Sequence, residues 1–505
     1  MTRRTKLVLG LALLFLLALV GAALARPGGG QSYSGGGGHS SSSGGGGGSS
    51  SSGGSGDSGA LFELIYHLVR LIVYYPEIGI PLVILIVVWI MYSAYKQHKN
   101  KDWDSGPAVQ LQRAIPLDDL RRVDPNFSQV LFEDFAYRLF STAHRARHAA
   151  DALATIAPYV AEPARQALAK RKPPGERVES VVIGAMRSFR LDIPPAARDR
   201  EGRPYRERIG IEFEANVTTA KKTYYSVESW LFGREAGRQG KPPGASKSFP
   251  CPNCGAPWQA SSTGTQVCAS CNQAVDNGRF DWSVEQISLL SMDERPPTLI
   301  ADVPERGTDL PTYYQAGAEM AFVSLQQHDP NASVQAIQQR LHMIYDELNR
   351  AWSKNDLTPI RGLVSDGLYD YLSYWIEAYK RQGLRNKLEQ MRITGTTFAK
   401  VQRDRWYDAV TIRIWATGYD FTVRSSDGKH VKGSRMMLRP YSEYWTLIRS
   451  ATRRGPAQAR PVCGNCGAPL QITQSGECTH CNVHLTAGEF DWVLSKIEQD
   501  DSYRG

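Results

Sequence analysis

Arg208-Ile-Gly-Ile-Glu-Phe-Glu-Ala-Asn-Val217 decides how this 505-residue chain folds. Ile209, Ile211, Phe213, Ala215 and Val217 alternate with Arg208, Gly210, Glu212, Glu214 and Asn216, so each set lies on one face of a pleated strand. Such alternation predicts a half-buried antiparallel strand, apolar towards a core and polar towards water. Further on, Val410, Ile412, Ile414 and Ala416 alternate with Thr411, Arg413 and Trp415. Flanking strands are expected at 178–193 and 222–232, and at 390–402 and 435–449.

Helices precede both sets of strands. Phe127, Leu131, Phe135 and Leu139 recur every four residues, as do Ile337, Leu341, Ile344 and Leu348 with similar spacing. Asp124-Pro-Asn-Phe-Ser128 and Asp329-Pro-Asn-Ala-Ser333 stand just before, offering an N-cap and a proline for the first turn. Second helical stretches are expected at 150–170, broken near Pro158, and at 360–379. Helices first and a meander afterwards give an α+β layer, with helices on one face of a curved antiparallel sheet.

All eight cysteines fall in two blocks. Cys251-Pro-Asn-Cys254 is followed after thirteen residues by Cys268-Ala-Ser-Cys271, and Cys463-Gly-Asn-Cys466 after eleven by Cys478-Thr-His-Cys481. Paired C-x-x-C turns at this separation are the spacing of a four-thiolate zinc ribbon, and two structural Zn²⁺ ions are expected. The alternative is two pairs of disulfides in an exported protein. Gly255 and Gly467 should take positive φ and let backbone N–H groups point at the thiolates. Phe280 and Trp282, repeated as Phe490 and Trp492, are expected to pin each ribbon to a larger body.

The blocks follow the strands in the same order twice. Tyr225-Ser226, Glu228 and Trp230 recur as Tyr441-Ser442, Glu443 and Trp445. A tandem duplication accounts for this. The expected organisation is a body at 110–245 with a ribbon at 246–290, a linker at 291–328, a second body at 329–455 and a second ribbon at 456–498.

Tyr441-Ser-Glu-Tyr-Trp-Thr-Leu-Ile-Arg449 and the D-P-N-x-S helix starts, behind a membrane-anchored Gly/Ser-rich N-terminus, resemble the Tim-forty-four-like (Tim44-like) family. That family comprises a mitochondrial inner-membrane translocase subunit and bacterial membrane relatives. The resemblance covers about 110–235 and 331–450. It implies a cone-shaped α+β fold similar to nuclear transport factor two, in two copies. It also implies association with proteins of an import machinery and with anionic lipid; other members bind ribosomal RNA. This chain departs from the family in its two copies and two ribbons.

The N-terminus sets the compartment. Residues 1–25 begin with Arg3, Arg4 and Lys6, run apolar from Leu7 to Val20 and close on Ala23-Leu-Ala25, as a signal peptide or an uncleaved signal anchor does. Residues 26–59 are almost pure Gly and Ser, a flexible tether. Residues 60–76 form an amphipathic helix, lying on the membrane or packed on protein. Residues 77–95 are apolar enough to span a bilayer, and Lys96, Lys99 and Lys101 follow at once. The positive-inside rule then leaves everything after the span in the cytoplasm, under an inner or plasma membrane.

Catalytic chemistry is sparse. His144 and His148 share a helix face, but Arg145 and Arg147 between them oppose a metal, so a solvated basic helix is expected. His480, between two cysteines, should be an exposed turn residue. Glu228 and Glu443 each precede a tryptophan by two residues; without a partnered His or second carboxylate, such a Glu reads as salt-bridging rather than acid–base. The candidate pocket comprises Glu228 and Trp230 in one copy and Trp415, Glu443 and Trp445 in the other. Residues 138–241 hold twenty Lys/Arg against twelve Asp/Glu, including the run Arg198–Arg208, as a domain facing anionic lipid would. Glu489, Asp491, Glu498, Asp500 and Asp501 give an acidic, solvated tail.

The expected function is therefore a non-enzymatic, membrane-tethered scaffold that binds proteins or lipids. A cone-domain enzyme working through Glu443 and an RNA-binding tether are the alternatives. Nucleic acid ranks below lipid because no aromatic-interleaved RNA motif accompanies the basic run.

Overall fold

The computed structural model describes residues 115–243, 249–259, 266–294, 308, 310–456 and 462–505 apart from 464–465, 470, 474–476, 482–487, 501–502 and 504, together with 74–79, 81–82, 84–85, 88–89 and 91. The expected signal segment and Gly/Ser tether lie outside these residues, as do most of the amphipathic helix and part of the span. The described residues of the span are helical, and Ile84, Leu85, Val88, Trp89 and Met91 among them are exposed. Among the described residues no helix is long and apolar enough to cross a membrane. Residues 109–505 belong to one compact unit, and the span belongs to another.

The larger unit is mixed helix and sheet. Its first half runs α1 (Gln129–Ala146), α2 (Ala150–Ala154), α3 (Glu162–Ala169), β1 (Val178–Asp192), β2 (Arg206–Thr219), β3 (Thr223–Glu235) and β4 (Ser283–Glu294). Its second half runs α4 (Ala318–His328), α5 (Val334–Lys354), α6 (Asp366–Arg381), β5 (Leu384–Arg403), β6 (Tyr407–Arg424), β7 (His430–Ser450) and β8 (Val493–Gln499). The strands make two four-stranded antiparallel sheets, ordered β1-β2-β3-β4 and β5-β6-β7-β8.

The alternating residues face where the pattern said they should. Ile209, Ile211, Phe213, Ala215 and Val217 join Phe132, Ala136, Leu139 and Phe140 of α1 in one core. Val410, Ile412, Ile414 and Ala416 join Ile337, Leu341, Ile344 and Leu348 of α5 in the other. The opposite faces are not open to water. Glu212, Glu214 and Arg413 are buried as well. Ion pairs make this burial tolerable: Arg187 takes Glu214, and Arg413 Nε lies 3.0 Å from Asp500.

Three expectations change. Each cysteine block is inserted within its sheet: Trp230 pairs with Ile287 of β4, and Trp445 with Ile497 of β8, on strands that follow the blocks. The segment 291–328, expected as a linker, contains the end of β4 and the whole of α4. The acidic tail is not simply solvated: Glu498 lies in β8, and Asp500 is buried against Arg413. A short edge strand has too few residues to show its alternation, which is why it read as tail.

The D-P-N motifs also work differently from the expected cap. Ser128 and Ser333 cap α1 and α5, accepting from Leu131 and Ala336 N–H at 3.3 and 3.1 Å. Asp124 and Asp329 instead hold the turn before, each accepting from the N–H of the Asn two residues on at 3.0 Å.

The halves touch directly. Trp406 Nε1 donates to Asn126 O at 3.0 Å, Gln402 Nε2 to Gln129 Oε1 at 3.1 Å, and Lys496 pairs with Glu133. Val130 and Leu131 of α1 pack on Tyr407, Ala409, Ile448 and Val493.

Candidate metal centres

Each cysteine block gathers its four sulfurs so that all lie within 4.8 Å of one another. Cys251–Cys271 and Cys254–Cys268 are 3.9 and 3.8 Å apart, and Cys463–Cys481 and Cys466–Cys478 are 3.7 and 3.9 Å. A tetrahedron with metal–sulfur arms of about 2.3 Å has edges of about 3.8 Å, whereas a disulfide needs about 2.05 Å. All eight cysteines are free. Both sets therefore fit a tetrahedral metal ion, and the disulfide alternative finds no support in the geometry.

The knuckles are built as the glycines require. Gly255 and Gly467 take φ of 75° and 71°. Their N–H groups do not reach sulfur; they donate to the carbonyls of Cys251 and Cys463 at 2.9 and 2.8 Å and close the turn. Other residues of the knuckles donate to sulfur. Burial would raise the Cys268 thiol, but the N–H groups of Cys271 and Ser270 and the adjoining thiols bring it down to about 6. Asn253 Nδ2 also donates to Cys271 Sγ at 3.4 Å, an outer contact that supports the ligand. His480 is exposed and stands in neither set of ligands.

Each F-D-W motif is split between two cores. Phe280 and Phe490 pack on the cysteine clusters, while Trp282 and Trp492 sit in the main cores. An arginine then clamps each tryptophan. Arg234 lies over the Trp282 ring and bonds Asp124 and Glu207 at 2.8 and 2.7 Å. Arg449 lies over Trp492 and reaches Asp329 and Asp408 at 2.8 and 3.4 Å. The sequence reading missed this clamp, although Arg234 and Arg449 stand four residues after the paired tryptophans Trp230 and Trp445 in both halves.

The pocket residues are placed as follows. Glu228 and Glu443 are both buried, and each accepts from the indole N–H two residues on, Trp230 at 3.0 Å and Trp445 at 2.9 Å. Gln499 Nε2 also donates to Glu443 at 3.0 Å. Trp415 does not join them. It pairs with Ser442 while Ile414 pairs with Glu443, so it faces the other side of the sheet, under the guanidinium of Arg413 at 4.6 Å.

Glu228 has what the sequence reading found lacking, a histidine. His144 Nε2 lies 3.5 Å from one carboxylate oxygen, and Arg171 Nε lies 3.2 Å from the other. His144 is buried, not solvated; burial pushes its imidazole down against the pull of Glu228. Burial alone would raise the Glu228 carboxyl, but His144 and Arg171 outweigh it and hold it down to about 2. His148, by contrast, is exposed. The basic run also loses its free character: Arg203 pairs with Asp199, and Arg206 and Arg208 with Glu285.

Residues 318–457, from α4 through β7, match the family model described as Tim44-like domain. The first sheet and both cysteine sets lie outside the matched residues. No curated protein matches the chain.

Proposed function

We propose that the chain is a membrane-anchored scaffold whose two halves are tandem, cone-shaped Tim44-like domains, each stapled by a structural zinc ion. It holds protein partners, and anionic lipid, at the cytoplasmic face of the membrane, in the service of protein transport or membrane-protein assembly. The observation that carries this reading is the Tim44-like match over 318–457, since that family is membrane-associated and protein-interacting. The two four-sulfur sets support the metal, and thiolate-only ligation favours zinc. The chain performs no catalysis in this reading: Glu228 and Glu443 are buried in bonds to neighbouring side chains and serve as structural anchors.

Crosslinking mass spectrometry on native membranes tests it. Recovery of membrane-protein or translocation partners on residues 115–505 is expected. Absence of any protein or lipid partner, or digestion of the two halves by protease added outside intact cells, would refute the reading.

A further inference from the structure

Twenty cations lie between Arg138 and Lys241, and among the described residues twelve of them pair with carboxylates. Of the remaining eight, five meet at one joint: Arg145 and Arg147 end α1, Lys170 and Lys172 follow α3, and Arg177 precedes β1. Arg147 Nη2 draws the joint together by donating to Lys172 O at 3.1 Å. The carboxylates present are Glu176, Glu179 and Glu228. Counting Arg171, six cations share the joint with these three, and Asp370 of α6 stands with Arg145 about Tyr137.

Part of this charge is deeply buried. The side chains of His144 and Arg171 are 1% and 9% exposed, and Arg147 is 3% exposed. Yet among the described residues Arg147 Nε and Nη1, Arg171 Nη2 and His144 Nδ1 have no hydrogen-bond partner. Buried donors left unpaired are costly, and those of a guanidinium most of all.

The fold does not require them. Counted from the capping serines Ser128 and Ser333, His144 corresponds to Asn349 and Arg147 to Trp352. In the second half both groups are satisfied internally: Asn349 Nδ2 donates to Tyr345 O at 2.9 Å and Trp352 Nε1 to Asn386 Oδ1 at 2.8 Å. Beside the charged joint a pocket of about 720 Å³ is lined by Arg145, His148, Arg177, Val178 and Glu179.

The geometry points to a phosphate-type oxyanion held in the first half by Arg147 and Arg171, with His144 as a third donor and Arg145 and Arg177 at the entrance. Planar guanidinium forks suit the oxygens of such a group, and their burial strengthens the grip. A headgroup in this site would deepen the scaffold reading and rests on it, whereas free phosphate would stand without it. The oxyanion can come from free phosphate or from a phospholipid headgroup.

The test uses the full chain in neutral detergent and follows thermal unfolding and binding by titration. Inorganic phosphate at about 10 mM is compared with chloride at equal ionic strength, and dihexanoyl phosphatidylglycerol below its micelle concentration is run in parallel. Stabilisation by phosphate assigns the site to a free oxyanion; stabilisation by the short-chain lipid alone assigns it to a headgroup. In either arm Arg147→Gln should weaken binding about tenfold or more, and Glu176→Gln, which removes an opposing charge, should tighten it. If Arg147→Gln fails to fold, Glu176→Gln decides. No stabilisation in either arm, unchanged binding by a folded Arg147→Gln chain, or no tightening by Glu176→Gln overturns the proposal and leaves the joint an internal ion network.

Discussion

The guanidinium of Arg234 lies 4.4 Å from the centroid of the Trp282 ring, and in the second half Arg449 stands 4.6 Å over Trp492. Each arginine thus joins three distant parts of the chain: the D-P-N turn before the first long helix, the third strand that carries it, and the tryptophan leaving the cysteine block. The metal centre is held to the body through this contact. One side of F-D-W packs on sulfur and the other on the core.

Arg234→Met or Arg449→Met should destabilise the chain by about 3–5 kcal/mol, because the first leaves Asp124 and Glu207 without a counter-charge and the second leaves Asp329 so, Asp408 keeping Arg403. Arg→Lys should lose less but still fail to rescue fully, since a lysine cannot bond both carboxylates and cover the indole together. Chemical unfolding followed by far-UV circular dichroism measures both. A wild-type midpoint in either Met variant would remove the clamp from the account.

Metal content should be two equivalents per chain, falling to one in Cys254→Ser and one in Cys466→Ser. Elemental analysis reads the stoichiometry. Chelation should disturb Trp282 and Trp492 fluorescence far more than it reduces sheet content, because the strands pair without the sulfur sets.

Acid should weaken the first half through His144 and Glu228. Both have folded-state values below their ordinary ones, so the unfolded chain binds more protons, and stability is lost as pH falls. For Glu228 the contribution is fully present above about 4.5 and is lost as pH drops towards about 2. For His144 the loss begins below about 6.5, as the unfolded imidazole takes up its proton. Melting temperature against pH should flatten below about 4.5 in Glu228→Gln relative to wild type. An unchanged slope would show that this carboxylate is not the group responsible.

Ser128→Ala and Ser333→Ala should each cost about 1 kcal/mol, the value of a lost N-cap. Asp329→Ala should cost more, because Asp329 holds Arg449 as well as its own turn. Equal losses would return the cap to the aspartate.

Trp406→Ala should loosen the halves, removing its bond to Asn126 and its packing beside Tyr407. Limited proteolysis should then cut between β4 and α4 sooner than in wild type, and two unfolding transitions should replace one.

Much of this was legible in the residues alone. Alternation is a local property, since residues i and i+2 share a strand face whatever surrounds them. It therefore located β2 and β6 and their inward residues. The C-x-x-C spacing is equally local and located both sulfur sets. Contacts between residues far apart in sequence had no such signal. His144 of α1 meets Glu228 of β3, and Arg413 of β6 meets Asp500 beyond β8, only because elements far apart in sequence pack together. Tertiary structure alone decided that the fourth strand of each sheet comes after the cysteines, that Trp415 turns away from Glu443, and that the cations of the first half, abundant in the sequence, are mostly spent on carboxylates except around Arg147. The period of the chain determines which way a side chain points; only the packing of one element on another determines what it meets there.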